Sequence, residues 1–209
     1  MNRDFCKFCT ELGEGLFLED PVISEHEWDK IMILSATDLK RELKQGTLLI
    51  EPLSQDTIRE NGIDLRVSCE ITRLKRQNTI PFDIQSPKTR EFYSKENNIE
   101  TFVIDSGEKI LVSTLEKITL PNNLMALCQL RSTFARAGIL IPPTVVDAGF
   151  SGNLTIQLSG GSFPVRIPVK TRFLHLIFAE LKTPLTKGYD GKYQNDSGVA
   201  LPKTDHKLS

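Results

Sequence analysis

Residues 130–158 read LRSTFARAGILIPPTVVDAGFSGNLTIQL. The stretch sets a short cationic segment, Arg131-Ser132-Thr133-Phe134-Ala135-Arg136, beside two strand-like apolar runs. Val146-Asp147-Ala148-Gly149-Phe150-Ser151-Gly152 joins those runs. Two arginines and two adjacent hydroxyls suit an oligophosphate, because guanidinium forks and O–H donors match anionic oxygens. A lone carboxylate, Asp147, sits in the turn, and the neutral Gln157 follows ten residues on, at the end of the next strand.

The chain on either side reads as β. Ile63-Asp64-Leu65-Arg66-Val67 alternates apolar and polar residues as a half-buried strand does, and Cys69 to Leu74 continues it. Thr101 to Ile104, Lys109 to Val112, Ile118 to Leu120, Leu124 to Leu130, Val165 to Ile167 and Arg172 to Leu181 read as further strands. Ser106-Gly107 and Pro121-Asn122-Asn123 supply turns between them. Short strands at such spacing predict an all-β barrel or sandwich. The charged run Gln77 to Asn98, with Pro81 and Pro87, reads as a surface excursion. A short helix is expected near the N-terminal end of this region. Ser35 precedes Asp38 by three residues as in a capping box, Leu39 and Leu43 recur four apart, and Gly46 ends the segment. Leu48 to Ile50 reads as a short strand before Pro52.

Composition narrows the function classes. At 209 residues with 39% hydrophobic and 25% charged content, the chain suits one soluble domain with a full core and an appendage. A formal net charge of -1 makes neither nucleic acid nor an anionic membrane an expected partner. An anionic ligand must then be held by a local cluster. No apolar run approaches the roughly 18–20 residues that span a bilayer. The acid-bearing N-terminus lacks the apolar core of a secretory signal. Four cysteines without a disulfide-framework pattern point to a reducing, cytoplasmic setting.

Residues 1–31 stand apart as an extension of unassigned role, and Met32 is available as an alternative start. Cys6-x-x-Cys9 is half of a zinc knuckle. The second pair is missing and His26 is poorly spaced, so no zinc site is expected there. At the other end, residues 188–209 contain the polar, glycine-bearing stretch Gly188 to Val199, with Tyr189, Lys192 and Tyr193. It reads equally as a frayed terminus or as a segment that closes over a ligand.

Four motifs in order then carry a resemblance: Asn61-Gly62-Ile63-Asp64-Leu65-Arg66, Arg131 to Arg136, Val146 to Gly152, and Gly191-Lys192-Tyr193-Gln194. The region from Met32 to Lys203 resembles the dCTP deaminase/dUTPase family, most closely its archaeal dCTP deaminase-like members. The resemblance implies a distorted, jelly-roll-like β-barrel over residues 32–187, with residues 188–209 closing over the nucleotide. It also implies a homotrimer, deoxynucleoside triphosphate (dUTP or dCTP) as substrate, and Mg2+ on the phosphates. Carried over by motif, Asp147, Ser132, Arg136 and Gln157 fall on catalytic positions. Arg131, Thr133, Tyr189 and Lys192 fall on substrate-binding positions, and Asp64 falls on one associated with the hydrated metal. Taken singly, Asp64 reads more readily as a turn or salt-bridge acid, and Arg136 as half of a surface ion pair. Their joint occurrence favours a site.

Gln157 departs from the deaminases of this family, which carry a glutamate there that shuttles protons. A carboxamide cannot exchange a proton near neutral pH, and such a loss typically removes about 10²–10⁴ in rate. Phosphoanhydride hydrolysis needs charge neutralisation and an oriented water instead. The reading therefore favours dUTP diphosphatase. Alternatives are dCTP deaminase, with Gln157 native or introduced, and a dNTP-binding module without turnover. Asp196-Ser197 before Gly198 is a second departure, placing a carboxylate where triphosphate is expected. His175, where many relatives carry glutamine, reads as a hydrogen-bonded core histidine.

Overall fold

The computed structural model describes residues 33–75, 80–85 and 89–203. The N-terminal extension, with Cys6, Cys9 and Trp28, lies outside the described residues.

The expected helix is α1, Ala36–Gln45. Ser35 Oγ accepts from the Asp38 N–H and the Asp38 carboxylate accepts from the Ser35 N–H, which completes the capping box. Gly46 closes the helix at φ 73°, a left-handed turn that L-residues with a Cβ disfavour. Leu39 is its fully buried anchor.

Strands follow almost without interruption: β1 (Leu49–Glu51), β2 (Ile58–Arg59), β3 (Gly62–Leu74), β4 (Tyr93–Glu96), β5 (Thr101–Ile104), β6 (Lys109–Thr119), β7 (Leu124–Leu130), β8 (Thr144–Val146), β9 (Ser151–Ser159), β10 (Val165–Pro168) and β11 (Arg172–Glu180). Among the described residues two short α-helices, α2 (Thr89–Phe92) and α3 (Ser132–Arg136), and a 3-10 turn at Gln55–Thr57 interrupt them. The main sheet runs β1-β6-β3-β11-β7-β8, with β9 on β6 and with β2 and β4 on β3, while β10 and β5 form a separate pair. All pairings are antiparallel. The fold is all-β, as the spacing of strand signals predicts, and the sheet curls into a half-barrel.

β3 produces the curl. Its first half, Ile63 to Arg66, pairs with β11, and its second half, Val67 to Arg73, pairs with β6. The register shifts between Val67 and Ile71, and β6 shifts between Ser113 and Lys117. Such irregularities bend a strand and increase its local twist. Glu116 fills the bend. It is 2% exposed and accepts from the Arg66 backbone N–H at 2.8 Å and from Arg66 Nε at 2.6 Å.

Three details depart from the sequence reading. The two short strands expected in 109–120 are one, β6, because the polar interruption at Glu116 is buried by Arg66 rather than turned to water. The excursion Gln77–Asn98 is not wholly loop. Residues 93–96 form β4 against β3, held by Arg73–Glu96 at 2.6 Å and Lys95–Glu70 at 2.8 Å, while Phe82 packs edge-on against Phe92. The cationic segment is a single helical turn, α3. The apolar run after it forms a strand only at Thr144–Val146, beyond Pro142-Pro143, since proline cannot donate to a ladder.

The core lies between the curled faces. Gly152, Leu154, Ile156 and Leu158 of β9 point inward, with Ile63 and Leu65 of β3 and Phe173, Leu174, Leu176 and Phe178 of β11. Among the described residues no helix is long and apolar enough to cross a membrane.

Candidate active site

Four of the candidate residues line two cavities that share no lining residue: Asp64, Arg131 and Ser132 line one, and Gln157 the other. The first, about 240 Å³, is lined by Asp64, Arg131, Ser132, His175, Arg59 and Glu60, among others. Strand pairing builds it. On β11, His175 stands opposite Asp64 of β3 and opposite Gln129 of β7. His175 Nδ1 lies 2.9 Å from Asp64 Oδ1. An ionised carboxylate only accepts, so Nδ1 carries the proton in that bond. Arg131 leads from β7 into α3, with Nη1 donating to the Arg172 carbonyl at 3.3 Å and Nε standing 3.2 Å from Asp64 Oδ2. That Nε is close enough for an ion pair but not aligned for a hydrogen bond. Asp64 Oδ2 is buried with no hydrogen-bond partner among the described residues. Gly62 makes the packing possible, because a Cβ there would stand 2.5 Å from His175 Nε2.

The second cavity, about 390 Å³, opens on the outer face of β9. Alternation along β9 sends Asn153, Thr155 and Gln157 to this side. Phe150, Tyr93 and Leu111 supply apolar walls, and Tyr193, Asp196, Ala200 and Pro202 of the C-terminal segment complete it. Gln157 is weakly held, its Nε2 donating to Ser159 Oγ at 3.4 Å. Burial, with a smaller effect of Tyr193, pushes the Tyr93 phenol above its ordinary value, so it faces the cavity as a neutral hydroxyl.

Asp147 lines neither cavity. It is exposed in the turn between β8 and β9, and its carboxylate has no hydrogen-bond or ion-pair partner among the described residues. The C-terminal segment packs against this turn. Tyr189 N–H donates to the Ala148 carbonyl at 2.8 Å, and the Tyr189 ring lies 5.7 Å from that of Phe150. Gln194 grips the same loop, accepting from Ser151 N–H at 2.9 Å and donating to the Gly149 carbonyl at 3.0 Å.

The remaining expected residues are on the surface. Ser132 and Arg136 share a face of α3, Arg136 Nη1 donating to Ser132 Oγ at 3.2 Å, with Thr133 exposed beside them. Lys192 Nζ sits 5.5 Å from the centre of the Tyr193 ring. The structure thus brings Asp64, Arg131 and Ser132 together and separates them from Gln157. His175 joins the first group unexpectedly. Its signal was a cross-strand register opposite Asp64, which no local pattern carries. Among the described residues Asp196 is the only acid lining the larger cavity, and Lys203 Nζ pairs with it at 2.6 and 2.8 Å from its two oxygens. Among the described residues no three His, Cys, Asp or Glu side chains cluster as a metal site.

Comparison with known proteins gives consistent matches. The family profile described as dCTP deaminase-like matches residues 33–181. A dCTP deaminase of Acidianus ambivalens is 53% identical over 172 residues, which cover 82% of this chain and 98% of that protein. A protein of Sulfolobus islandicus rod-shaped virus 1, named a probable deoxyuridine 5'-triphosphate nucleotidohydrolase, is 50% identical over 174 residues, covering 83% of this chain and all of that one. The crystal structure of 2'-deoxycytidine 5'-triphosphate deaminase from Agrobacterium tumefaciens superposes with a TM-score of 0.59 at 20% identity. That match covers 72% of this chain and 49% of the other, so the chain spans about half of that structure.

Proposed function

The chain belongs to the dCTP deaminase-like family, and from that premise we propose that it hydrolyses dUTP to dUMP and pyrophosphate. The observation that carries this reading is Gln157. The side chain that faces the larger cavity from the end of β9 is a carboxamide, which cannot relay the protons that deamination moves. Hydrolysis asks for less. A water oxygen attacks the α-phosphorus, the α–β anhydride bond breaks, and pyrophosphate leaves with the charge. Asp147, exposed and without a carboxylate partner among the described residues, accepts the water's proton or orients the water. Arg131, Arg136, Ser132 and Thr133 meet the phosphate oxygens. Magnesium enters as the counter-ion of the triphosphate, in the substrate rather than in the protein. Tyr189 and Lys192, on the segment that packs over the Asp147 turn, cover the bound nucleotide.

The two cavities are completed by assembly. In the proposed homotrimer, α3 of one subunit faces the Asp147 turn and β9 of the next. Support comes from the apolar side chains left on the β7–β8 edge. Leu127 and Val145 are cross-strand partners that are 37% and 53% exposed, and Leu140 is 65% exposed. Incubation with dUTP and magnesium should release pyrophosphate, and Asp147→Asn should abolish the release; undiminished release by that variant removes Asp147 from the reaction.

One observation favours a second reading, dCTP deaminase. Asp196 puts a carboxylate on the cavity that Gln157 faces, and relatives about half identical carry that name. The double contact with Lys203 opposes it, because both carboxylate oxygens are taken up by the ammonium. Ammonia release from dCTP that is lost in Asp196→Asn would establish this reading. Saturable dUTP binding without turnover would leave a nucleotide-binding module.

A further inference from the structure

We infer that Asp64 is a positioning residue for Arg131, fixed in turn by His175, and that it takes no part in holding metal. The inference rests on the reading of the smaller cavity as a triphosphate site. One carboxylate oxygen is hydrogen-bonded to protein and the other faces a guanidinium in an ion pair without a hydrogen bond. Oδ1 accepts from His175 Nδ1 at 2.9 Å, and Oδ2 has Arg131 Nε at 3.2 Å. The side chain is 3% exposed and Oδ2 is buried, so a hydrated cation cannot reach it without displacing its neighbours. Two arginines, Arg59 and Arg131, line the cavity against one further acid, Glu60. Magnesium favours oxygen-rich ligand sets and gives up its waters reluctantly, so this environment suits an anion instead.

The unfilled hydrogen bond at Oδ2 gives the pair its use. A buried carboxylate oxygen without a partner costs free energy. Any ligand that draws the Arg131 guanidinium into alignment with Oδ2 removes that cost as it binds. An anion on the far side of the fork does so, since Nη1 is anchored on the Arg172 carbonyl and Nε already faces Asp64. Nη2 is then presented to a phosphate oxygen. His175 keeps Asp64 from turning, and Gly62 leaves room for the imidazole.

The test is calorimetric titration of the full chain with two probes, inorganic tripolyphosphate and dUpNHpp, each in magnesium and in EDTA. Asp64→Asn should weaken both probes by about tenfold, the size of one charge-assisted hydrogen bond, and by the same factor in EDTA as in magnesium. A loss seen only with magnesium overturns the inference, because it makes Asp64 a metal-dependent residue. Should Asp64→Asn fail to fold, His175 carries the test. His175→Gln retains a donor and should bind tripolyphosphate within about threefold of wild type, whereas His175→Leu should lose about tenfold in EDTA. Equal affinity of the two His175 variants also overturns the inference. Failure of the dUTP diphosphatase reading is distinguishable, since tripolyphosphate binding that depends on Asp64 stands without any pyrophosphate release. A wild-type chain that binds neither probe overturns both.

Discussion

Gly149 and Gly188 meet backbone against backbone: a Cβ built on Gly149 would stand 2.5 Å from the Gly188 Cα. Gly149 is also held at φ 82°, where an L side chain is strained. This close approach is how the C-terminal segment reaches the turn that follows Asp147, with Tyr189 donating to the Ala148 carbonyl immediately after it.

Gly149→Ala should therefore release the segment without unfolding the barrel. The strain and the collision together exceed the roughly 1–2 kcal/mol of a left-handed residue. Cleavage by a limiting protease within residues 188–203 should accelerate by about tenfold or more. Pyrophosphate release should fall while the melting temperature of the barrel moves little.

The bend in β3 and β6 depends on a buried ion pair. Removing Glu116 strands Arg66, at 21% side-chain exposure, and leaves the Arg66 backbone N–H without its acceptor. Glu116→Ala should cost about 3–5 kcal/mol in urea unfolding, the usual cost of breaking a buried pair by deleting one partner. An exposed pair such as Arg41–Asp38 should cost well under 1 kcal/mol when broken.

The cap of α1 makes a pH-dependent contribution of predictable sign. Hydrogen bonds from the Ser35 side chain, and then from the Ser35 backbone, hold Asp38 below its ordinary value. A carboxylate depressed in the folded state stabilises fully above its unfolded value of about 3.9. That contribution is lost as pH falls through the depressed folded value. Ser35→Ala should lower the melting temperature by roughly 2–4 °C at pH 7, and the gap to wild type should narrow as pH falls below the ordinary carboxylate range. A gap that widens on acidification would reverse the assignment.

The apolar pair Leu127–Val145 on the β7–β8 edge tests assembly. Val145→Glu places a charge on the proposed contact and should shift the mass measured by light scattering from trimer to monomer. Turnover should fall with it, because α3 and the Asp147 turn would no longer meet. A monomeric wild-type chain with full turnover would contradict the shared site.

Much of this was legible in the residues themselves. The alternation of Ile63 to Val67 and the capping pair Ser35/Asp38 are local signals, and both elements formed where they stand. What escaped was decided by distant partners. β4 carries Lys95 and Glu96 at positions that read as loop, and it becomes a strand because Glu70 and Arg73 lie across from it. The stretch between the two short strands expected at Lys109 to Val112 and Ile118 to Leu120 belongs to one strand, with Glu116 as its buried anchor. α3 is a single turn, too short to show a helical period. His175 reads as a core residue and lies beside Asp64 only through the β3–β11 register. Asp196 reads as a carboxylate where triphosphate is expected, and its partner in the structure is Lys203, seven residues away.

The most direct measurement of the central claim is product analysis with dUTP and dCTP side by side, each with magnesium. The Gln157 carboxamide on the β9 cavity leads to dUMP and pyrophosphate from dUTP and no ammonia from dCTP. Ammonia released from dCTP at a rate comparable to dUTP hydrolysis would contradict it.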